Sequence, residues 1–447
     1  MVEFNQRCSG GSCFISMTRQ LSNVKVGLMT VRGRTGRIVS AVLAVASAVC
    51  VAAAPVGARR LSAHTPVTLT WSMWSGSSQE VAAWQWDAVH VTKVYPWIHV
   101  KFETSTFNDY WPKLQSEAAT GGLPDLISLQ GQHAPGYHDA YMPLNAMVKS
   151  TNFDIKNFNP GIVKELSYGG NLYALPYDFG PIVVYYNKNL FDAAKVPYPA
   201  FNWTYDQFEK DAIKISNPAK QIYGFNANPI IDYWLPFVLS AGAQYISPDW
   251  KTLELTNPKV ASVVQRFLEL DYKYGASPAQ SVPVEGYAFA QFQSGNVAMF
   301  NDGPWDMINL KTSVKFNMGI ATIPSITGHS ISQTAGSGFG ISKTAKDPTD
   351  AWLAISALTD PAAEQYLATV GRAYPGRVAD QKYWYANAVP GAQKVLEYQQ
   401  NNAVPFATTA NWQQVETLTQ TYLTPIANSG GNVAAALAKI QQLASAH

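Results

Sequence analysis

The chain is poor in charge, and most of it has no thiol. Charged residues make up 14% of the 447, and the formal net charge is +2. The 3 cysteines, Cys8, Cys13 and Cys50, all lie within the first 58 residues. A disulfide framework and a cysteine-based zinc site are therefore excluded from the remainder. G-x-S-x-G is missing, so there is no nucleophile elbow. His133 and His138 are five positions apart, the wrong spacing for H-E-x-x-H. Gly336-Ser337-Gly338-Phe339-Gly340 reads G-x-G-x-G and leads into a strand rather than following one, which argues against a dinucleotide loop. The net charge also conceals an imbalance. Residues 1–58 hold six basic side chains against Glu3 alone, leaving 26 basic and 29 acidic in the rest. A basic footprint for nucleic acid is thus lacking, as are internal repeats and low-complexity tracts beyond residue 65.

Aromatic rings are what the chain has in quantity. With 13 Trp, 23 Tyr and 19 Phe it is 12% aromatic, a surface chemistry suited to a neutral, ring-bearing ligand rather than a polyanion. Its length exceeds that of one ordinary core and points to two lobes or one large α/β unit. At the start, Arg32, Arg34 and Arg37 precede an apolar run over 38–54 that ends in small residues. This is the layout of a secretory signal, with cleavage near Ala54 or Ala58 and Met29 as an alternative start. The run is shorter than the roughly 20 residues a membrane-spanning helix needs. Ser47-Ala48-Val49 before Cys50 departs from a lipobox. The expectation is an exported protein, placed at the extracellular face of the membrane or in the periplasm.

Along the body, period-2 alternation predicts a first strand over Val67–Trp74. A helix over 79–95, a strand over 99–103, a helix over 110–120 stopped by Gly121-Gly122, and a buried strand over 126–129 follow. This β-α-β-α-β rhythm implies a parallel sheet. Strands are expected over 171–175 and 182–186, separated by the turn-like stretch from Pro176 to Pro181. Thr204 and Gln207 form a capping-box pair ahead of a helix, and Pro236 stands at the head of another. Residues 259–274 carry a helical apolar stripe. A strand over 318–323, a helix from Pro348 to about Leu358 and a helical tail from Trp412 complete the reading. Trp71 and Trp84 are expected in the core. Tyr185 and Tyr186 are expected on opposite faces of a sheet rather than as paired metal ligands.

The most informative stretch is 287–305, YAFAQFQSGNVAMFNDGPW. It reads as a helix end, a Gly295 stop, a short apolar strand, and a turn presenting Trp305 beyond the strand's carboxyl end, where open α/β sheets bind ligands. Alone, it reads equally as a core helix–strand unit with a buried tryptophan. Its F-x-x-G-x-V-A-M…G-P-W pattern, however, resembles family 1 extracellular solute-binding proteins of ABC importers, the maltose-binding-protein-like sugar-binding group. Four further segments match in order: Gly121–Asp125 with G-x-x-P-D, Gly170–Pro176 with G-x-x-Y-A-L-P, Tyr185–Phe191 with Y-Y-N-K-x-L-F, and Asn202–Phe208 with T-W-x-x-F, where Tyr205 takes the Trp place.

The resemblance implies a two-lobed periplasmic-binding-protein-like α/β fold of type II, with mixed sheets flanked by helices. The chain would cross between lobes near 176–183, 332–338 and 378–383. Lobe 1 would comprise 66–180 and 335–378, and lobe 2 would comprise 183–332 and 380–447. Ligand would bind in the cleft, and the lobes would close about a hinge. Carried over residue by residue, the binding candidates are Trp305, Trp412, and Tyr233 or Trp234. Trp74, Ser75 and Gln79 follow the first strand, and Gln130, Gln132 and His133 follow the third. Asp178, Gly336, Arg372 and Tyr374 complete the set. Many relatives carry Gly-Gly where this chain has Ala335-Gly336, which puts close contact at Ala335 in doubt. The implied function is a monomeric receptor that captures a neutral di- or oligosaccharide and hands it to the transmembrane subunits of an ABC permease. No catalytic residue, metal or cofactor is implied. Two alternatives stand beside it. One is the same role with a glycerol phosphodiester or other small polar solute, for which Arg372 and Arg377 would matter. The other is a secreted carbohydrate-active enzyme, which needs two carboxylates facing each other across the bond.

Overall fold

The chain divides into two units, Met1–Ser62 and Ala63–His447. A computed structural model describes residues 64–280 and 287–445, all in the second unit. The expected secretory signal and its cleavage sites lie outside the described residues. Among those described, no helix is long and apolar enough to cross a membrane.

Eleven strands are found among the described residues: β1 Val67–Trp74, β2 Ile98–Ser105, β3 Leu126–Gln130, β4 Ser167–Tyr168, β5 Asn171–Leu172, β6 Ala174–Pro181, β7 Val183–Asn187, β8 Met299–Asp302, β9 Met318–Ala321, β10 Ser332–Ile341 and β11 Ala403–Val404. β1 pairs in parallel with β2 and β3, with Trp71 opposite both Phe102 and Leu126. β10 lies antiparallel to β3 and β6 and pairs with β11 at its start. A mixed six-stranded sheet results. A second sheet has β7 at its centre, antiparallel to β8 and β9.

Three apolar clusters are found among the described residues. One gathers side chains of the first sheet and its helices, including Trp71, Trp84, Leu129, Phe339 and Trp352. Another is built from residues between Ile182 and Ala335 together with Phe406–Ala444 residues such as Trp412 and Leu437. The third holds Tyr185, Phe292, Phe300, Tyr374 and Trp384. Trp71 and Trp84 are fully buried, as expected, and meet edge to face at 6.0 Å. Tyr185 points into the third cluster and Tyr186 into the second, one on each face of β7.

Most element boundaries agree with the sequence reading to within a few residues, and the main differences come from tertiary neighbours. Residues 176–181 are not a separating turn but most of β6. β6 forms its ladder with β10 and has an isolated bridge, Asp178–Pro375, on its other side. Pro176 and Pro181 fit because an edge strand does not need every N–H for a ladder. Pro236 does not open its helix, which runs Ile231–Ser240 with the proline inside. Proline cannot donate to the carbonyl four residues back. That carbonyl, of Asp232, instead accepts from Gln333 Nε2 at 3.3 Å. The capping box is half made. Thr204 accepts from the Gln207 N–H at 3.1 Å, but the Gln207 side chain donates to Asp211 at 2.7 Å.

The glycine run is explained by packing. Gly336, Gly338 and Gly340 alternate along β10. A Cβ on Gly338 would lie 2.6 Å from the Leu175 carbonyl, and one on Gly340 would lie 2.6 Å from the Tyr141 ring. At Gly336 it would overlap the Asp178 carbonyl. The run lets β10 lie close against β6 and its helices.

Candidate functional site

Trp305 sits on a turn made by its neighbours. β8 ends at Asp302, a short 3-10 turn covers Pro304–Asp306, and the helix Met307–Ser313 follows. The half-buried indole folds over Gly303, where any Cβ would overlap it, and Pro304 likewise fills the space above Gly180 of β6. The Gly303 carbonyl accepts from the Tyr185 hydroxyl at 3.0 Å. Glycine is required at 303 and 180 by this close approach rather than by backbone conformation. Trp305 and Tyr233 both border the cluster that contains Trp412.

Beside that cluster a polar group joins three distant parts of the chain. Gln132, just after β3, donates from Nε2 to Glu416 Oε1 at 2.9 Å and lies 3.4 Å from Asp232 Oδ2. Its backbone carbonyl accepts from Thr408 at 2.8 Å. Trp412 and Glu416 are one turn apart on the helix Trp412–Ser429 and so share a face. The Trp412 indole N–H faces the Asp232 carboxyl but falls short of full hydrogen-bond geometry. Burial lifts Asp232 to about 6, against the pull of Gln132, Glu416 and Trp412. Glu165, close by, is lifted by burial to about 8 although Thr334 and the Phe406 N–H bond to it. The side-chain oxygens Gln130 Oε1, Gln333 Oε1 and Asn301 Oδ1 are buried with no hydrogen-bond partner among the described residues.

A second polar group surrounds Arg372. The guanidinium is 3.4 Å from Glu80 and 3.5 Å from Asp178, and it lies 4.6 Å over the Trp84 ring. Arg372 is 3% exposed, so these charges are desolvated. Burial raises Asp178 to about 6, and Arg372 only partly offsets this. Asp306 is also raised, first by burial. Asn309, on the helix after Trp305, donates to Glu80 at 3.1 Å and Asp306 at 3.0 Å and accepts from Ser77 at 2.7 Å.

The structure thus brings Gln132, Trp412 and the Asp232–Tyr233 helix start together, and it brings Asp178 and Arg372 together. His133 adjoins the first group, but its ring packs 3.7 Å from Trp111, and burial lowers its pKa to about 3, which keeps it neutral. Trp234 is a core residue whose indole N–H donates to the Pro229 carbonyl. Tyr374 is fully buried, with its hydroxyl bonded to Gln381, Tyr385 and Gln400. Trp74 is buried among Phe107, Tyr110 and Trp111. Ser75 is half-buried and bonds to the Ser77 carbonyl, and Gln79 is exposed on its helix. Gly336 faces β6. Sequence reasoning missed Glu80, Asn309, Asp306, Glu416 and Gln333. Of these only Glu416 carried a signal, its one-turn spacing from Trp412. No cluster of three or more His, Cys, Asp or Glu that could hold a metal occurs among the described residues.

Over residues 75–365 the chain matches the family described as bacterial extracellular solute-binding protein. The maltotriose-binding protein of Pyrococcus abyssi is 25% identical over 175 residues, a match that spans 38% of this chain and 35% of that protein. The chain therefore spans about a third of that relative's length. An ABC substrate-binding protein of Listeria monocytogenes, solved in complex with cycloalternan, superposes with a TM-score of 0.78 at 19% identity, covering 85% of this chain and 98% of the other. A solute-binding protein of Thermotoga lettingae bound to α-D-tagatose gives 0.75 at 20% identity over 84% and 98%. The maltose/maltodextrin-binding domain of Bdellovibrio bacteriovorus bound to maltotriose gives 0.72 at 18% over 85% and 99%.

Proposed function

The chain belongs to the family of bacterial extracellular solute-binding proteins, and from that premise we propose that it is the capture receptor of an ABC importer, taking a neutral oligosaccharide between two lobes. The lobes would be 66–180 with 335–378, and 183–332 with 380–447. The separate cores around Trp71 and around Trp412 support this division, while the third cluster, which packs Tyr374 against Trp384, spans it. The observation that carries the ligand class is the Gln132–Asp232–Glu416 group beside the fully buried Trp412, with the half-buried rings of Trp305 and Tyr233 bordering the same cluster. A pyranose has an apolar face that suits an indole and a rim of hydroxyls that suits amides and carboxylates. Groups placed for particular hydroxyls also reject analogues that would leave them unpaired. The similar structures bound to cycloalternan and maltotriose support an oligosaccharide, and the one bound to tagatose supports a neutral sugar more broadly.

The phosphodiester alternative requires a cation available to a phosphate. Arg372 faces two carboxylates, while Arg377 donates to the Thr359 carbonyl at 2.8 Å and lies over Phe158. Both arginines on which that alternative rests are engaged, and this favours the uncharged ligand. Binding would proceed on one lobe, followed by closure driven by contacts made better in the closed form. The protein would act as a receptor and not as an enzyme, delivering its cargo to the permease as a monomer outside the cell membrane. The test is a thermal-shift panel of mono-, di- and oligosaccharides against glycerol phosphodiesters. Stabilisation by an oligosaccharide, with no products after prolonged incubation, is expected. Turnover would transfer the protein to the enzyme class, and a shift only with phosphodiesters would replace the ligand.

A further inference from the structure

Asn309 occupies a place that no ligand-binding consideration explains. Its helix, Met307–Ser313, follows the Trp305 turn in the second proposed lobe. All three of its side-chain hydrogen bonds are to fixed partners, and two of those partners lie more than 200 residues away in the first lobe. Ser77 donates to Oδ1 at 2.7 Å, while Nδ2 donates to Glu80 Oε1 at 3.1 Å and to Asp306 Oδ1 at 3.0 Å. Those partners are themselves anchored. Ser77 caps the helix Ser78–Val94 by accepting from the Glu80 N–H, and Glu80 Oε2 accepts from the Gly76 N–H at 2.6 Å. Next to it, the Ile308 N–H donates to the Gly371 carbonyl at 3.0 Å, so the helix start is tied to the first lobe by backbone as well.

An amide is the side chain this position calls for. It faces a hydroxyl donor and two carboxylates at once, Glu80 and Asp306, and it offers one acceptor and two donors without adding charge. An aspartate would repel both acids, and a lysine would lose the bond from Ser77. The other charged groups facing this point are Asp302, which bonds to Asp306, and Arg372 and Asp178, through Glu80. We infer that Asn309 is a positioning residue, a clasp between lobes that sets ligand affinity by stabilising the closed arrangement without touching the ligand. This rests on the two-lobed receptor reading. Apparent affinity scales with the fraction of molecules in the competent arrangement, so weakening the clasp weakens binding even when every ligand contact is intact.

The experiment uses the full chain, maltotriose as probe, and small-angle scattering alongside calorimetry. Asn309→Ala is expected to weaken maltotriose binding roughly tenfold, about 1.4 kcal/mol by the usual conversion. It should also enlarge the unliganded radius of gyration, which saturating maltotriose would return to the wild-type value. Asn309→Asp should do the same more strongly at pH 8 and recover in part at pH 5, where carboxyl repulsion is relieved. Thr312→Ala, one turn on, bonds only to carbonyls of its own helix and should leave both readouts unchanged. Weaker binding with an unchanged radius would overturn the clasp and make Asn309 a ligand contact, and unchanged binding and radius would overturn it outright. Should the wild type bind no oligosaccharide, the saccharide reading fails. The unliganded radius then decides the clasp alone, expansion in Asn309→Ala supporting it and no change refuting it.

Discussion

Replacing Arg372 with methionine isolates the value of one buried charge. The substitution keeps an unbranched apolar stem over Trp84 and deletes the guanidinium, leaving Glu80 and Asp178 buried without their cation. Removing one partner of a buried pair costs about 3–5 kcal/mol. The separations of 3.4 and 3.5 Å exceed those of good charge-assisted bonds, so the lower end applies, about 3 kcal/mol. At a melting entropy of roughly 2.1 cal/mol/K per residue, a folded body of about 380 residues shifts by about 1.3 °C per kcal/mol, so melting should fall by about 4 °C. The pH dependence makes the reasoning testable. Asp178 is an acid whose folded value, about 6, lies above the ordinary one near 4. In the wild type its contribution to stability therefore declines from about pH 4 to 6 and is level above. Without Arg372 its value rises further, and the decline continues beyond pH 6. Melting curves at pH 5 and pH 8.5 should show a larger deficit at the higher pH. An equal deficit at both would refute charge compensation as the role of this arginine.

Other consequences can be checked more briefly. Trp305→Ala should abolish the thermal shift given by any stabilising oligosaccharide while leaving the unliganded melting temperature within a few degrees of wild type. Retained affinity would remove Trp305 from the site. Glu165, lifted to about 8 by burial, loses stability contribution as pH rises from about 4 to 8, so Glu165→Gln should gain on wild type in melting temperature between pH 5 and 9. Gly338→Ala would place a methyl 2.6 Å from the Leu175 carbonyl and 2.7 Å from Leu166 Cδ1. An overpacking cost of about 1–3 kcal/mol should appear as a lower urea midpoint at unchanged slope.

Strand and helix periodicities were legible because each depends on residues close in sequence. The stripe over Pro258–Tyr272 translates directly into a buried face, and Val67–Trp74 forms its strand, although Trp71–Trp74 are buried on both faces. The split of Tyr185 and Tyr186 between two cores follows from period two alone. What was hidden depends on tertiary neighbours. Pro176 and Pro181 read as turn residues because nothing local says that their strand lies at an edge. Pro236 read as a helix start because Gln333, which takes up the freed carbonyl, is nearly a hundred residues away. The glycines of β10 read as a run leading into a strand, and their place inside it follows only from the opposing backbone at Asp178 and Leu175. In the candidate site, aromatic positions could be carried over from motifs. The Glu80–Asn309 and Gln132–Glu416 bonds join residues separated by 229 and 284 positions, and no local pattern announces them.

The centre strand of the smaller sheet constrains how this protein can be re-engineered. Val183 and Tyr185 feed one core while Val184 and Tyr186 feed another, so a one-residue insertion just upstream would exchange the two sets and turn both interiors inside out. A fluorescent module meant to report solute binding must therefore avoid the short stretch between Gly180 and Val183. The exposed turn at Ser150–Asn152 offers a splice point where added length would disturb neither interior.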